Sequence, residues 1–177
     1  IEAVQTALGP GASAQSRRVA ASTAAQMAQS LGWTDNRRAF SHYMMGRMLQ
    51  LTDPITAQQH YGTALHFLAQ TPGTELHRAY ITTQTAAFAI SRGDGASALR
   101  QIQPSLSVAN RAENAALLST LMLLQAEALD LEGKTHLASS VRLDSLGWAR
   151  YGFGSDWLVR AKMQEAASLN PKNNLGG

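Results

Sequence analysis

Two stretches of this chain repeat one another: AISRGDGASALRQI around Gly93 and ALDLEGKTHLASSV around Gly133 each set a glycine turn between alanine-rich apolar segments. The interval is 133 − 93 = 40 residues. A helix-turn-helix unit that recurs at a fixed spacing cannot bury its apolar face alone, which implies stacked helical hairpins, each covering the next. Apolar residues recur at three-and-four spacing almost throughout, and the alternating runs that mark strands are nearly absent. The expected fold is all-α, about three to four stacked antiparallel hairpins.

Composition narrows the function classes. The chain has 177 residues, 45% of them apolar, and no cysteine. That is enough for a sizeable core without disulfides, and it excludes a disulfide framework, a zinc ribbon and a thiol nucleophile while leaving the redox compartment open. The formal net charge is +3, and adjacent basic residues occur only at Arg17 with Arg18 and Arg37 with Arg38. Such sparse charge does not make a multi-phosphate footprint, so no nucleic-acid partner is expected. The most apolar run, Leu117 to Leu124, is broken by Ser119 and Thr120 and falls far short of the roughly 20 residues of a membrane span. Ile1 in place of an initiating methionine points to a preceding segment that has been removed. The abundance of alanine and glutamine, with lysine confined to Lys134, Lys162 and Lys172, resembles exported proteins of high-GC Gram-negative bacteria. A periplasmic or secreted location is expected, a cytoplasmic one being the alternative.

Caps and turns divide the chain into eight expected helices, about 14–31, 37–51, 54–70, 74–92, 96–109, 110–131, 135–151 and 156–169. Asp53 caps the third with Pro54 at its first position. Pro104 is expected to kink or end the fifth. Asn110 and Glu113, three apart, read as a capping box opening the sixth, and Ser155 as the cap of the eighth. The sixth, rich in leucine from Ala115 to Leu131, should be the most buried. The whole reads as one domain over 1–169, with units of about 1–35, 36–72, 74–109 and 110–152, a capping helix at 155–169 and a flexible tail at 170–177.

Overlaying the units aligns Gly46, Ala86 and Ala126 in the first helices and Ala57, Ala98 and Ala138 in the second, all small enough to let helices approach closely. Four residues on stand Tyr61, Ile102 and Arg142, and three beyond those Ala64, Ser105 and Ser145. From Phe40 to about Arg150 this pattern resembles the tetratricopeptide repeat, which carries small residues at those places and a large apolar one between. The chain departs from the family where its first-helix tryptophan and leucine stand, at His42 and Met45, Thr82 and Thr85, Met122 and Gln125. Arg142 replaces an apolar residue, and the period of 40 exceeds the family's usual length of about 34.

The resemblance implies a right-handed α-α superhelix whose first helices line a concave groove for a protein or peptide, with Tyr43, Arg47, Gln50, Tyr80, Thr83 and Glu127 among the ligand-facing positions. Phe40, Ala87, Thr120 and Leu123 fall there too. Tyrosine and arginine there could supply contact area and charge-assisted bonds to a peptide or its terminal carboxylate. The alternative is that Tyr43 and Tyr80 pack between helices with only the hydroxyl in water. Trp148, Tyr151, Phe153 and Trp157 crowd the segment LGWARYGFGSDWLVR, either as a second binding surface on a glycine-flexed loop or as the cap that seals the last hairpin.

The five histidines show no metal-ligand spacing: His60 and His66 are six apart on one helix, and His42, His77 and His136 have no carboxylate placed to join them. No cofactor or metal is expected. Glu127, Asp130 and Glu132 read as a solvated helix face, and RGDG at 92–95 as a hairpin turn that accounts for both glycines. The sequence thus points to a non-enzymatic binding scaffold for a protein or peptide. An oligomerising accessory domain of a larger envelope assembly and an all-helical enzyme are its alternatives.

Overall fold

The structure, a computed structural model, describes residues 11–30 and 34–153, the side chains of 25, 27–30 and 153 excepted. Among the described residues it is all-helical, with seven helices and no strand: α1 (Ala14–Ser30), α2 (Asp35–Leu49), α3 (Pro54–Ala69), α4 (Glu75–Ser91), α5 (Gly95–Arg111), α6 (Ala115–Leu131) and α7 (Thr135–Phe153). The eighth helix and the tail expected from the sequence lie outside the described residues.

One kind of turn recurs. Gly73, Gly93, Glu113 and Gly133 stand between successive helices at φ 75°, 76°, 50° and 73°. They are spaced by 113 − 93 = 20 residues throughout, half the interval between the two similar stretches of sequence. Across three of these turns the amide three residues past the helix reaches back to a carbonyl of its last turn: Asp94 to Ala89 at 2.9 Å, Asn114 to Ala109 at 3.0 Å and Lys134 to Leu129 at 2.9 Å. This 6→1 closure needs the left-handed residue beside it, which glycine adopts without a Cβ penalty. Two of the same residues then open the next helix. Asp94 accepts from the Ser97 amide at 2.9 Å and Asn114 from the Leu117 amide at 3.0 Å.

Two expectations are corrected at these boundaries. Asn110 lies in the last turn of α5, Glu113 is the left-handed turn residue, and the cap of α6 is Asn114. The three-residue spacing of Asn110 and Glu113 imitates a capping box. Pro104 does not end its helix, because α5 runs on to Arg111. Its ring is exposed, so the carbonyl one turn back that loses its partner lies on the wet side of the helix. Asp53 does cap α3, accepting from the Thr56 amide at 3.1 Å, with Pro54 first in the helix.

The helices fall into two compact units, residues 1–81 and 82–177. In the first, α2 packs on both α1 and α3 around Met45, Met48, Tyr61, Leu68 and Ile81. In the second, α6 packs on both α5 and α7, and Ala126, Leu129 and Ala138 close a core flanked by Leu99 and Val141. All the small positions overlaid from the sequence are buried, and so are Tyr61, Ile102 and Arg142 between them. A Cβ on Gly46 would come within 2.5 Å of the Tyr61 ring, which is why that ring can lie flat against α2. Arg142 answers the same position with a charge, held by an ion pair from its Nη2 to Oδ2 of Asp130.

Candidate functional site

An apolar cleft of about 380 Å³ opens in the first unit. From α2 it takes Asn36, Ala39, Phe40 and Tyr43, from α3 Leu68, and from the start of α4 His77, Tyr80 and Ile81. Asn36, Phe40 and Tyr43 reach it together because they stand four and three apart on one helix face. The size falls in the range of sites that receive a small ligand or a few side chains. Phe40 and Tyr80 remain 64% and 42% exposed, large apolar surface left in water at the mouth of a preformed hollow.

Two of the sequence candidates, Tyr43 and Tyr80, therefore line one site, and two more stand behind it. Arg47 donates from Nη1 to the Tyr43 hydroxyl at 3.0 Å, with its guanidinium carbon 5.9 Å from the centre of the same ring. Gln50 accepts from the Tyr61 hydroxyl at 2.9 Å, and the Tyr61 ring lies 6.1 Å from Tyr43. Burial pushes the Tyr61 phenol up, against the opposing pull of Arg47. This hydroxyl stays neutral and acts as a fixed donor. The Tyr43 ring lines the cleft and also rests on a neighbour across the helix seam.

The remaining candidates belong to the second unit. Thr83 is buried, and its hydroxyl accepts from Gln84 Nε2 at 3.0 Å, so little of it is left for a ligand. Glu127 is exposed on α6. Trp148 and Tyr151 stand on α7 with ring centres 6.4 Å apart, Tyr151 83% exposed. They are carried by a helix, where the sequence allowed a glycine-flexed loop. Gly152 is part of that helix, and a Cβ there would run into the backbone of Ala115 and Ala116. The side chain of Phe153, and Trp157 altogether, lie outside the described residues.

A pairing that the sequence did not reveal joins α2 to α3. Nδ1 of His42 lies 2.9 Å from Nδ1 of His60, with ring centres 5.2 Å apart. Phe67 stacks on His42 at 5.9 Å, and the Arg38 guanidinium lies 5.9 Å from the Phe67 ring centre. Burial holds both imidazoles below their ordinary value, and for His42 the neighbouring His60 adds to the effect. The two residues are 18 apart, and only the register of two packed helices brings them together. No group of three or more histidine or acidic residues is placed to hold a metal among the described residues. No helix there is long and apolar enough to cross a membrane.

No family model, curated protein or solved structure matches this chain.

Proposed function

We propose that this chain is a non-enzymatic, tetratricopeptide-like scaffold, an exported bacterial protein whose helical hairpins present the cleft at Phe40, Tyr43 and Tyr80 to an apolar side chain of a protein or peptide partner. The observation that carries the reading is the cleft itself: apolar walls, two exposed aromatic rims and a guanidinium one turn further along α2. Aromatic residues around a hollow are what interfaces use as anchors, and Arg47 could meet a carboxylate beside the inserted side chain. The recurring 20-residue turns and the buried small positions support the repeat assignment.

The test is site-specific photocrosslinking in the source cells, with a photoreactive aromatic residue placed at Phe40, at Tyr80 or, as a control, at the exposed Arg100. Adducts to one protein from the first two positions and not the third are expected. Phe40→Ala with Tyr80→Ala should weaken capture of that protein about tenfold or more while leaving thermal unfolding nearly unchanged. Absence of adducts at both cleft positions would overturn the reading.

A second reading is favoured by α7, where Leu137, Leu143, Trp148 and Tyr151 are all exposed. Apolar surface of that extent suits self-association within a larger assembly. Light scattering of the wild type beside Trp148→Ser/Tyr151→Ser distinguishes the two, since only an oligomer held by α7 would fall to monomer mass in the variant.

A further inference from the structure

We infer that the His42–His60 hydrogen bond is a proton-operated clamp between α2 and α3, which releases when the pair takes up its second proton and alters the cleft that these helices line. Its bearing on binding rests on the cleft reading above, whereas the clamp itself does not.

The inference starts from proton counting. Two Nδ1 atoms at 2.9 Å require one ring to carry its hydrogen on Nδ1 and donate, and the other to carry its hydrogen on Nε2 and accept. The separation of 5.2 Å between ring centres fits nitrogens that point at one another nearly head-on. A first extra proton goes to the free Nε2 of the donor ring. The bond then survives and becomes charge-assisted. The only basic nitrogen left for a second proton is the acceptor's Nδ1, the atom that holds the bond. Its protonation sets two N–H groups and two cations face to face, and the contact must open.

The surroundings offer no relief. From α2, Arg38 stands over Phe67, the ring that stacks on His42, and the Asp35 carboxylate is engaged with Arg38 at 3.8 Å. From α3, His66 meets the same Phe67 edge-on. From α1, Arg17 donates to the Ala12 carbonyl and the field of Arg18 falls on Asp53. From α4, His77 lies in the cleft and Glu75 is paired with Arg78. Among the described residues no carboxylate acts on either ring to stabilise a second positive charge. Next to His42 in sequence is Tyr43, and Leu68 lies two helical turns from His60, both on the cleft wall. Separation of the helices at the clamp is therefore transmitted to the cleft.

The experiment is an NMR titration of the whole chain between about pH 7.5 and 4.5, the span in which imidazoles change charge, following ring nitrogens of His42 and His60 together with Tyr43 and Leu68. The clamp requires opposite tautomers at the alkaline end, two separate protonation steps shared by the pair, and movement of the Tyr43 and Leu68 signals with the second. His60→Gln keeps a hydrogen-bonding neighbour without a titratable group, and His42→Asn does the same from the other helix. In either variant the cleft signals should no longer move across this range. Independent one-step titration of the two rings, or cleft signals that move alike in the wild type and both variants, would overturn the inference. Because no partner is added, a cleft that binds nothing leaves this result intact.

Discussion

Tyr61 and Arg142, which the sequence overlay sets at one position two units apart, are both buried and fill their places by opposite means. Tyr61 lays an aromatic ring against Gly46 and satisfies its hydroxyl on Gln50. Gly46→Ala would force that ring aside in a packed core, with an expected loss of about 1 to 3 kcal/mol, and Tyr61→Leu in the same chain should recover part of it. Urea denaturation of the two variants measures both. Arg142 instead buries a guanidinium, with Nη2 on Asp130 and Nη1 without a hydrogen-bond partner among the described residues. Removing the carboxylate from a buried pair strands a charge, a loss of roughly 3 to 5 kcal/mol when both partners are enclosed. The side chain of Asp130 is 37% exposed, so water can reach the vacated place. Asp130→Ala is expected to cost about 2 kcal/mol, less than for an enclosed pair. Arg142→Met in the same background should restore most of that, because an apolar side chain fills the buried place without a charge to satisfy. No recovery in the double variant would show that the guanidinium packs as a required part of the seam. Of these positions the sequence displayed the small residues, whose spacing is regular. It gave no sign of the ion pair, since Asp130 looked like part of a solvated acidic face.

At the scale of the helix, the turns decide what could be read in advance. Gly93 and Gly133 advertise their left-handed backbone, and Asp53 with Pro54 announces the start of α3. Glu113 takes the same backbone with a side chain that gives no such signal, and the start of α6 was accordingly placed four residues early. Glu113→Gly should therefore stabilise the chain by about 0.5 to 1 kcal/mol, the strain of a left-handed residue less the added flexibility of glycine. Thermal unfolding of the variant tests this, and a lower midpoint would mean that the glutamate makes up the difference elsewhere. Pro104 is a converse case, a residue whose local preference was overridden. Packing of Ala98, Ile102, Ser105 and Ala109 along one face holds α5 together through it. Pro104→Ala restores a helical amide on the exposed side and is expected to stabilise by about 1 to 3 kcal/mol. The cleft was half legible on the same grounds. The resemblance to the tetratricopeptide pattern points to Tyr43 and Tyr80, but the depth between them depends on how α2, α3 and the start of α4 pack, which no single helix records.

For the molecule as a whole, the division into two compact units and the placement of the histidines together imply uneven sensitivity to acid. His42 and His60 lie in the first unit, and burial lowers both below the ordinary value of 6.5. A base depressed by folding binds its proton more readily in the unfolded chain, so stability rises with pH across the gap between the two values. The contribution is complete above 6.5 and is lost as pH falls below it through the folded values. Asp53, also in the first unit, is likewise held below its ordinary value, here by its bond to Thr56, and because the folded chain favours its charged form its contribution disappears only further into acid, below 3.8. Between about pH 7 and 5, then, the histidine pair alone of the shifted groups changes charge. Hydrogen exchange, corrected for the intrinsic pH dependence of the amide, should show protection falling in α2 and α3 over this interval while α6 and α7 hold theirs. His42→Asn with His60→Gln should flatten the response of the first unit. Equal loss of protection in α6 and α7 would mean that the chain unfolds as one cooperative body, and the acid response could not then be assigned to the clamp by its location.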